Sequence, residues 1–573
     1  MEKHSISPGP SQFLLYDKTH VFFPMKFPHA AALLQLVLLY GVVTSARAPS
    51  KYVVQERSGG RYIIADRAGR ERIIRGVNLA TLGSKTSNVP IDVDLYVKGK
   101  CPSNDNEWYQ PPICEEDVAG VKHSGFDAVR LLVHWSQLEP SPGKYDDAYI
   151  RRMQQILSWA ERYSLDVLID FHQDNFAKKS TFCCADDGAP AWAWLVNDTK
   201  LTEAEKIEIG FLKKFIPQLD WSGAEVAFQA FWTNVRVPET GIGLQVHYIQ
   251  AVAALVRATA NSSAVIGYEL MNEPLPGLDI NLFHFASSYL YPFYARIIQA
   301  VTGVRDGKPS CPCNVTQSNE GGLSALCRGV NSPVSSTCSY PDLGINTDKL
   351  ILYEPTAVRN QLDVSVQRSE PFTAYSNIVY APHTYTQSFT LWKKEPFFIA
   401  LDTAAMEAAA MKSALMVTEF GGSQVAELNS ICDEQEKHLA STMHWVWKQN
   451  GGGGWGLHSA TAGINFTMRM DRLRAVSRIR PRAVAGRLLS FHHYEGGFWM
   501  KGSCENATTS STFEYNSSHS TEIYIPVHFA SCADTIISNG TSQITSVTKD
   551  SDGSKTAFVT CQREGLFAVT CTF

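Results

Sequence analysis

The sequence lacks the features that mark several large classes of protein. No block of like charges stands out, and 51 Lys and Arg residues against 56 Asp and Glu residues give a net charge of −5. A nucleic-acid-binding protein usually carries a basic stripe, so we expect no nucleic-acid partner. Glycine and proline, at 39 and 27 of 573 residues, are ordinary in number, which excludes a fibrous or disordered chain.

Long hydrophobic runs are also scarce. Residues 30–43 form a 14-residue apolar run, AAALLQLVLLYGVV, which is short for a membrane span and typical of a signal-peptide core. Small residues with an A-x-A pattern follow at 44–48, and Met25 offers an internal start that would shorten the 29 residues before the run. We expect region 1–48 to be a signal peptide, with an uncleaved anchor as the alternative. The rest would enter the secretory pathway and be secreted or lumenal, with a lysosome-like compartment or the cell surface as destinations.

The cysteines and the glycosylation sequons fit the same route. Thirteen cysteines suit a disulfide-bonded protein, and the odd number leaves at least one thiol without a partner in the chain. The last four cysteines form a group that could close on itself in three ways. Cys311 and Cys313 lack the spacing of a zinc knuckle, which favours disulfides there. The N-x-S/T sequons of a glycoprotein are at Asn197, Asn261, Asn314, Asn465, Asn506, Asn516 and Asn539.

Short β-rich runs alternate with helical patterns between about residues 60 and 450. Most runs are continuously apolar, which is typical of strands buried on both faces of a parallel sheet. Eight such strands predict an α/β protein with a (β/α)8 TIM barrel. A doubly wound open sheet is the alternative, but no Gly-rich phosphate loop follows the first strand. The predicted strands are Arg72–Leu79, Asp127–Val133, Asp166–Phe171, Ala264–Leu270, Lys349–Tyr353, Asn377–Pro382, Ala414–Thr418 and Thr442–Trp447.

Other segments extend this barrel, which we place at 49–485. Residues 56–74 resemble a hairpin that closes the bottom and leads into the first strand. Residues from about 301 to 346 form a Cys- and Ser-rich insertion. Alternating runs, turn signals and four cysteines then predict a C-terminal β-sandwich domain at 486–573.

Polar residues at the carboxyl ends of barrel strands are the ones that meet a substrate. Glu273 follows strand four and Glu419 follows strand seven, so the two acids should face each other across the mouth. A retaining glycosidase needs two carboxyls about 5 Å apart. A neighbouring Arg130 and the Tyr385 hydroxyl would keep a nucleophile ionised, while burial would keep an acid protonated. The polar strand ends are Asn78, Arg130, His134, His172, Gln173, Asp174, Asn272, Glu273, Glu354, His383, Tyr385, Glu419 and Trp445.

A metal site is the alternative for His172, Asp174 and Glu273. Their spacing supplies neither an H-E-x-x-H nor an H-x-x-E-H face, so we expect no metal. Two carboxyl groups can supply both the proton and the nucleophile, so we expect no cofactor either.

The order of these strand-end residues resembles glycoside hydrolase family 5. Longer phrases resemble its endoglycoceramidase branch, notably DFHQD at 170–174 and YAPHTY at 380–385. The most specific phrase is VIGYELMNEPLPG at 265–277. The similarity extends over roughly residues 58–490.

The resemblance implies hydrolysis, with retention, of the β-glycosidic bond between glycan and ceramide in glycosphingolipids at a membrane surface. It implies that Glu273 is the acid/base and Glu419 the nucleophile. It also implies that Asn272 binds the sugar 2-hydroxyl and that Trp445 forms the floor of the sugar subsite, although Trp447 competes for that role. The full predicted substrate-binding set is Lys85, Arg130, His172, Asp174, Trp232, Asn272, His383, Tyr385 and Trp445.

Three other functions remain open at this stage. The same residues could serve a β-glucosidase acting on steryl or other lipid glucosides, or a β-glucanase acting on polysaccharide. A surface protein that binds glycans without cleaving them is a more remote alternative. No obligate protein partner is inferred.

Overall fold

The computed structural model describes residues 49–80, 113–174, 176–177, 188–195, 224–304, 343–362, 370–385, 398–450, 455–460, 467–504 and 519–573. The predicted signal peptide, Lys85, and most of the 301–346 insertion lie outside the described residues. Residues 48–573 form one compact unit. Among the helices described, none combines the length and the apolar character needed to cross a membrane.

Eight parallel strands close into a barrel. Neighbours along the chain pair in parallel, β7 pairs with both parts of β6, and β8 pairs with β1 to complete the ring. The predicted (β/α)8 barrel is therefore confirmed. The strands are β1 Arg75–Leu79, β2 Ala128–His134, β3 Asp166–His172, β4 Val265–Glu269, β5 Leu350–Tyr353, β6 in two parts at Ile378–Tyr380 and His383–Tyr385, β7 Ala414–Gly421 and β8 Ser441–His444.

Burial explains the sequence of these strands. Every residue of β2, β3 and β4 is buried, which is why their runs are apolar without alternation. Helices pack around them. One of the longest, Asp147–Arg162, begins at a cap, where the Asp146 side chain accepts from the Tyr149 main-chain N at 2.9 Å. The α-helices are Glu115–His123, Trp135–Leu138, Asp147–Arg162, Ala224–Trp232, Leu244–Thr259, Leu282–Phe285, Tyr291–Thr302, Ala357–Leu362, Phe398–Ala410, Val425–Lys437, Met470–Val476 and Cys532–Thr535.

The N-terminal hairpin closes the bottom of the barrel, as the sequence predicts. Its Tyr52 and Ile64 belong to the same apolar cluster as residues of the barrel strands, including Leu168 and Met416. The Tyr52 hydroxyl donates to Asp166 Oδ2 at 2.6 Å, at the start of β3. The hairpin therefore seals the end of the barrel opposite the strand carboxyl ends.

The C-terminal region is a two-sheet β-sandwich with its own apolar core, which includes Phe491, Phe498, Ile523 and Val569. Its larger sheet also includes the N-terminal hairpin, so the predicted division at residue 485 does not separate two sheets. The larger sheet contains Tyr52–Arg57, Arg61–Asp66, Glu71–Arg72, Arg480–Val484, Thr521–Ile525, Lys555–Cys561 and Ser542–Lys549, the smaller contains Arg487–Tyr494, Gly497–Ser503, Leu566–Thr572 and Ile537–Gly540, and a separate small sheet contains Lys448–Asn450, His458–Ala460 and Thr467–Met468.

The four cysteines of the sandwich pair with one another, as their grouping predicts. Cys504 bonds to Cys561, and Cys532 bonds to Cys571. The first disulfide joins the ends of strands that lie in different sheets. Cys432 is a buried free thiol on a barrel helix.

A buried ion network joins that barrel helix, Val425–Lys437, to the sandwich. The side chain of Glu436 is 2% exposed and accepts from Arg478 Nη1 at 3.2 Å. Its other oxygen accepts from the main-chain N of His493 at 2.8 Å and lies 3.1 Å from His492 Nδ1. Burial opposes the charge, but Arg478 and these hydrogen bonds lower the pKa of Glu436.

Replacing Glu436 with Gln should therefore destabilise the protein by about 3 kcal/mol at neutral pH, because the buried Arg478 loses its buried charge partner and keeps only the half-exposed Asp433. The lowered pKa makes this contribution complete above the ordinary carboxyl pKa. The difference between wild type and variant should therefore narrow as the pH falls below about 4. Denaturant unfolding across pH measures both effects. Glu434→Gln on the same helix is the control. It breaks only an exposed pair with Lys437 and should cost less than about 0.5 kcal/mol. Equal losses for the two variants would contradict the prediction.

Candidate active site

The polar strand ends converge on Arg130 at the mouth of the barrel. This residue lies on β2 and its side chain is fully buried. Nη1 donates to Glu419 Oε1 at 2.5 Å and to Asn78 Oδ1 at 2.9 Å, while Nη2 donates to Asn272 Oδ1 at 2.8 Å. A guanidinium with donors in a rigid fork thus fixes three side chains from different strand ends.

Three further acids surround the same guanidinium. Arg130 Nε donates to Glu269 Oε2 at 2.7 Å, and Nη2 lies 3.0 Å from Asp170 Oδ2 and 3.3 Å from Glu354 Oε1. All three carboxyl groups are fully buried. Burial disfavours the cation, but these acids, Asp170 first, raise the pKa of Arg130 well above its usual value. Of these three acids, only Glu354 belongs to the polar strand ends expected from the sequence, and none had a predicted role.

Glu419 is placed by an irregularity in β7. The register of its pairing with β8 shifts between Val417 and Phe420, and such bulges re-aim side chains beside active sites. Glu419 Oε2 accepts from the Tyr385 hydroxyl, and Arg130 holds Oε1. Burial raises the pKa of Glu419, against the opposing effect of His383 and Arg130. Glu419 is thus a buried carboxyl oriented through both of its oxygens.

Glu273 has a different environment. It follows β4 in the left-handed backbone region, with φ of 40°, where a residue other than glycine is held at a cost of about 1–3 kcal/mol. Its main-chain N donates to Glu354 Oε2 at 3.1 Å, and its Oε1 lies 2.7 Å from His383 Nδ1. The side chain is 26% exposed, against 5% for Glu419. Glu273 is therefore the acid that solvent and a leaving group can reach.

The separation of these two acids decides what the pair can do. A carboxyl oxygen of Glu273, one of Glu419 and a ring nitrogen of His383 all lie within 4.8 Å of one another. An inverting pair needs about 6.5–9.5 Å to admit a water, whereas a retaining pair needs about 5–5.5 Å. The geometry matches the retaining arrangement.

A second group of predicted residues lines one side of the mouth. The ring of His172 stacks on Trp445, with centroids 5.8 Å apart and an angle of 11° between planes. His172 Nδ1 lies 2.7 Å from Asp170 Oδ2, and Nε2 lies 3.5 Å from Asp174 Oδ2. Burial opposes protonation, but the two Asp carboxylates raise the pKa of His172 well above its usual value. This side of the mouth therefore combines a flat aromatic face with hydrogen-bonding groups.

The structure distinguishes the two competing tryptophans, Trp445 and Trp447, and shows where Trp232 lies. Trp447 is 3% exposed, and its Nε1 donates to Asp117 Oδ1 at 2.9 Å outside the barrel, so Trp445 alone of this pair stacks on His172. Trp232, for which a sugar contact was predicted, lies in the helix Ala224–Trp232. It is fully buried, and its Nε1 donates to the Leu275 carbonyl at 2.7 Å.

Side-chain atoms that could bind a metal ion also lie close together here, but they surround the guanidinium of Arg130. Glu269, Glu354 and His383 place ligand atoms within 4.8 Å, while Arg130 lies against both carboxyls. The guanidinium supplies positive charge where a cation would bind. The absence of a metal remains a prediction.

The structure therefore gathers most of the predicted set at one mouth. Lys85 lies outside the described residues, and Trp232 lies in the helical layer. The residues brought together are Arg130, His172, Asp174, Asn272, Glu273, His383, Tyr385, Glu419 and Trp445. Their individual roles toward a substrate remain predictions.

A (β/α)8 barrel with paired acids just after β4 and near the carboxyl end of β7 has the architecture of a glycoside hydrolase. The profile of the family described as Cellulase (glycosyl hydrolase family 5) matches residues 91–460, more than half of the chain. The chain belongs to glycosyl hydrolase family 5.

Named relatives narrow the comparison. Endoglycoceramidase I of Rhodococcus hoagii is 30% identical over 163 residues, covering 28% of this chain and 29% of that protein. A glucosylceramidase of Rhizopus delemar is 27% identical over 198 residues, covering 28% of this chain and 26% of that protein. The matched region thus spans about a quarter to a third of these curated relatives. A crystal structure of endogalactoceramidase superposes with a TM-score of 0.62 at 21% identity, covering 92% of this chain and all of the other, which shows a shared fold.

Replacing Tyr385 with Phe tests the environment of Glu419. The hydroxyl favours the ionised carboxyl, so its loss should raise the pKa of Glu419 and move the acid limb of kcat/KM to higher pH. We expect a loss of about 10- to 100-fold in kcat/KM, the worth of a hydrogen bond to a charged group. A pH–rate profile on an aryl β-glycoside measures both effects.

Tyr380→Phe is the matched control for that experiment. The Tyr380 hydroxyl also donates to a glutamate, but the acceptor is Glu407 on the helix Phe398–Ala410. This variant should lose stability and keep the acid limb of wild type. An unchanged acid limb in Tyr385→Phe, or the same shift in both variants, would contradict the assignment of Tyr385 to Glu419.

Proposed function

We propose that this protein is a retaining β-glycosidase that hydrolyses the bond between the glycan and the ceramide of glycosphingolipids. The observation that carries the proposal is the pair Glu273 and Glu419, with carboxyl oxygens within 4.8 Å at the barrel mouth. The names of the two relatives, endoglycoceramidase and glucosylceramidase, agree on a ceramide and differ on the sugar. The ceramide is therefore the better supported half of the substrate.

The reaction would proceed in two displacements. Ionised Glu419 attacks the anomeric carbon, the bond from that carbon to the ceramide oxygen breaks, and Glu273 gives its proton to the departing oxygen. Ceramide leaves, and the glycan remains as an ester of Glu419. Glu273 then takes a proton from a water whose oxygen attacks the same carbon. The ester bond breaks, Glu419 is ionised again, and the glycan leaves with its original configuration.

The surroundings of each acid support its role in this scheme. Arg130 and Tyr385 contact the two oxygens of Glu419, which stabilises the ionised nucleophile and the leaving carboxylate of the second step. Glu273 keeps an exposed face for the ceramide oxygen and for water. In this scheme Asn272 contacts the sugar 2-hydroxyl and Trp445 lies under the sugar ring.

One surface feature supports a substrate held in a lipid surface. Phe283 is 65% exposed on the helix Leu282–Phe285, in the connection that leaves the barrel just after Glu273. A large apolar side chain exposed in this connection is compatible with contact with lipid. We assign the glycolipid partner to a membrane surface on this basis.

The proposed cellular route is secretory. The residues described include the sequons at Asn261 and Asn539, and both asparagines are exposed. Their positions allow a glycan without disturbing the core. The signal-peptide pattern at 30–48 supports the same route.

The proposal is tested by incubating the full chain with a ganglioside, lactosylceramide, glucosylceramide and a steryl glucoside. Mass spectrometry follows intact glycan and free ceramide. We expect wild type to release both from glycosphingolipids and Glu419→Gln to be slower by about 10⁴-fold or more. Thermal unfolding of both proteins is the control for folding.

Each other result would replace the proposal. Release from the steryl glucoside alone would assign a sterol aglycone and keep the chemistry. Cleavage of a soluble β-glucan alone would assign a glucanase. No cleavage by a folded wild type, with glycan binding unchanged in Glu273→Gln, would assign a binding protein.

A further inference from the structure

We propose that Glu354 is a positioning residue for the acid/base Glu273, acting both through His383 and through the Glu273 main chain. The inference rests on the proposed two-carboxylate mechanism and extends it to a residue that touches neither the sugar nor the ceramide. Glu354 follows β5 and is fully buried.

The two oxygens of Glu354 contact different parts of the acid/base apparatus. Oε1 lies 3.2 Å from His383 Nε2 and 3.3 Å from Arg130 Nη2. Oε2 accepts from the Glu273 main-chain N at 3.1 Å. A single carboxyl group therefore links the imidazole beside Glu273 to the backbone that carries Glu273.

The imidazole of His383 lies between two carboxyl groups. Its Nδ1 lies 2.7 Å from Glu273 Oε1, on the side opposite Glu354. Burial opposes protonation of His383, but Glu354 and then Glu419 raise its pKa well above the usual value. A ring that lies between carboxyl oxygens at Nδ1 and Nε2 cannot rotate without losing both contacts. The ring thus fixes where the carboxyl of Glu273 lies.

The main-chain contact acts on a strained residue. Glu273 has φ of 40°, and the Glu354 oxygen that accepts from its N–H helps to hold this conformation. The acceptor is itself secured, because the Tyr294 hydroxyl donates to the Glu354 carbonyl at 3.2 Å. The connections after β4 and β5 are also tied by Ala357 N donating to the Pro274 carbonyl at 2.9 Å. Loss of the Glu354 carboxylate should therefore displace Glu273 from its position for proton transfer.

Glu269 provides a matched comparison. It is also a fully buried glutamate, at the end of the neighbouring strand β4, and it contacts Arg130 Nε at 2.7 Å. Its other oxygen accepts from Thr418 Oγ1 at 2.8 Å, next to Glu419. Glu269 thus acts toward the nucleophile, whereas Glu354 acts toward the acid/base.

Substrates whose leaving groups differ in their need for a proton can distinguish a residue that acts on the acid/base from one that acts on the nucleophile. Phenol departs from a glycoside only with help from a proton donor, whereas 2,4-dinitrophenol departs without it. The experiment compares kcat/KM, which reports bond cleavage, for phenyl and 2,4-dinitrophenyl β-lactosides. Glu354→Gln should lose at least about tenfold on the phenyl lactoside and less than about threefold on the dinitrophenyl lactoside. Glu269→Gln should lose activity on both substrates by a similar factor.

Equal losses of Glu354→Gln on the two lactosides would overturn the inference. If that variant does not fold, Glu354→Asp keeps the carboxyl group and shortens its reach, and it must show the same selective loss or the inference fails. Wild type that cleaves lactosides but no glycosphingolipid would overturn the proposed substrate alone. Wild type inert on every substrate would overturn the mechanism and the inference together.

Discussion

A single buried cation holds the mouth of this barrel together. Arg130 contacts four carboxyl groups within 3.3 Å, and one positive charge cannot balance four negative ones in a buried site. The two neighbouring imidazoles make up part of the difference. Burial opposes their protonation, but Asp170 raises the pKa of His172 and Glu354 raises the pKa of His383.

This excess of acids creates two different environments a few ångströms apart. Glu419 is buried against a guanidinium and a phenol, whereas Glu273 faces outward against an imidazole. Two carboxyls with distinct surroundings are what a two-step displacement needs, because one must attack while the other carries the proton. Arg130 fixes the positions of both acids relative to each other. It contacts Glu419 directly, and it contacts Glu354, which in turn binds the Glu273 main chain. A substitution beside Glu354 should therefore affect mainly Glu273, and one beside Glu419 should affect mainly Glu419.

The sequence predicted the parts of this site that follow from barrel geometry. Apolar runs located the strands, and their carboxyl ends placed Glu273 opposite Glu419. The position of Trp232 could not be predicted from the sequence. Which face of its helix packs against the barrel depends on contacts with the neighbouring helices. Asp170 and Glu269 carried a signal that was not used: each is an acid inside an otherwise apolar strand. A charge in such a position requires a buried partner. Arg130, in an equally apolar strand, was the partner available.

The opposite end of the barrel is apolar, in contrast to the charged mouth. There the hairpin residues Tyr52 and Ile64 fill the barrel with apolar contacts, and the hairpin strands continue into the larger sheet of the sandwich. The sandwich is thus joined to the end of the barrel that holds no catalytic acid. Glu436 adds a second attachment on the outer helical layer, through Arg478 and the strand Arg487–Tyr494. Both attachments brace the barrel away from its mouth. They favour a structural role for the sandwich, because a module that presented substrate to Glu273 would have to lie at the other end.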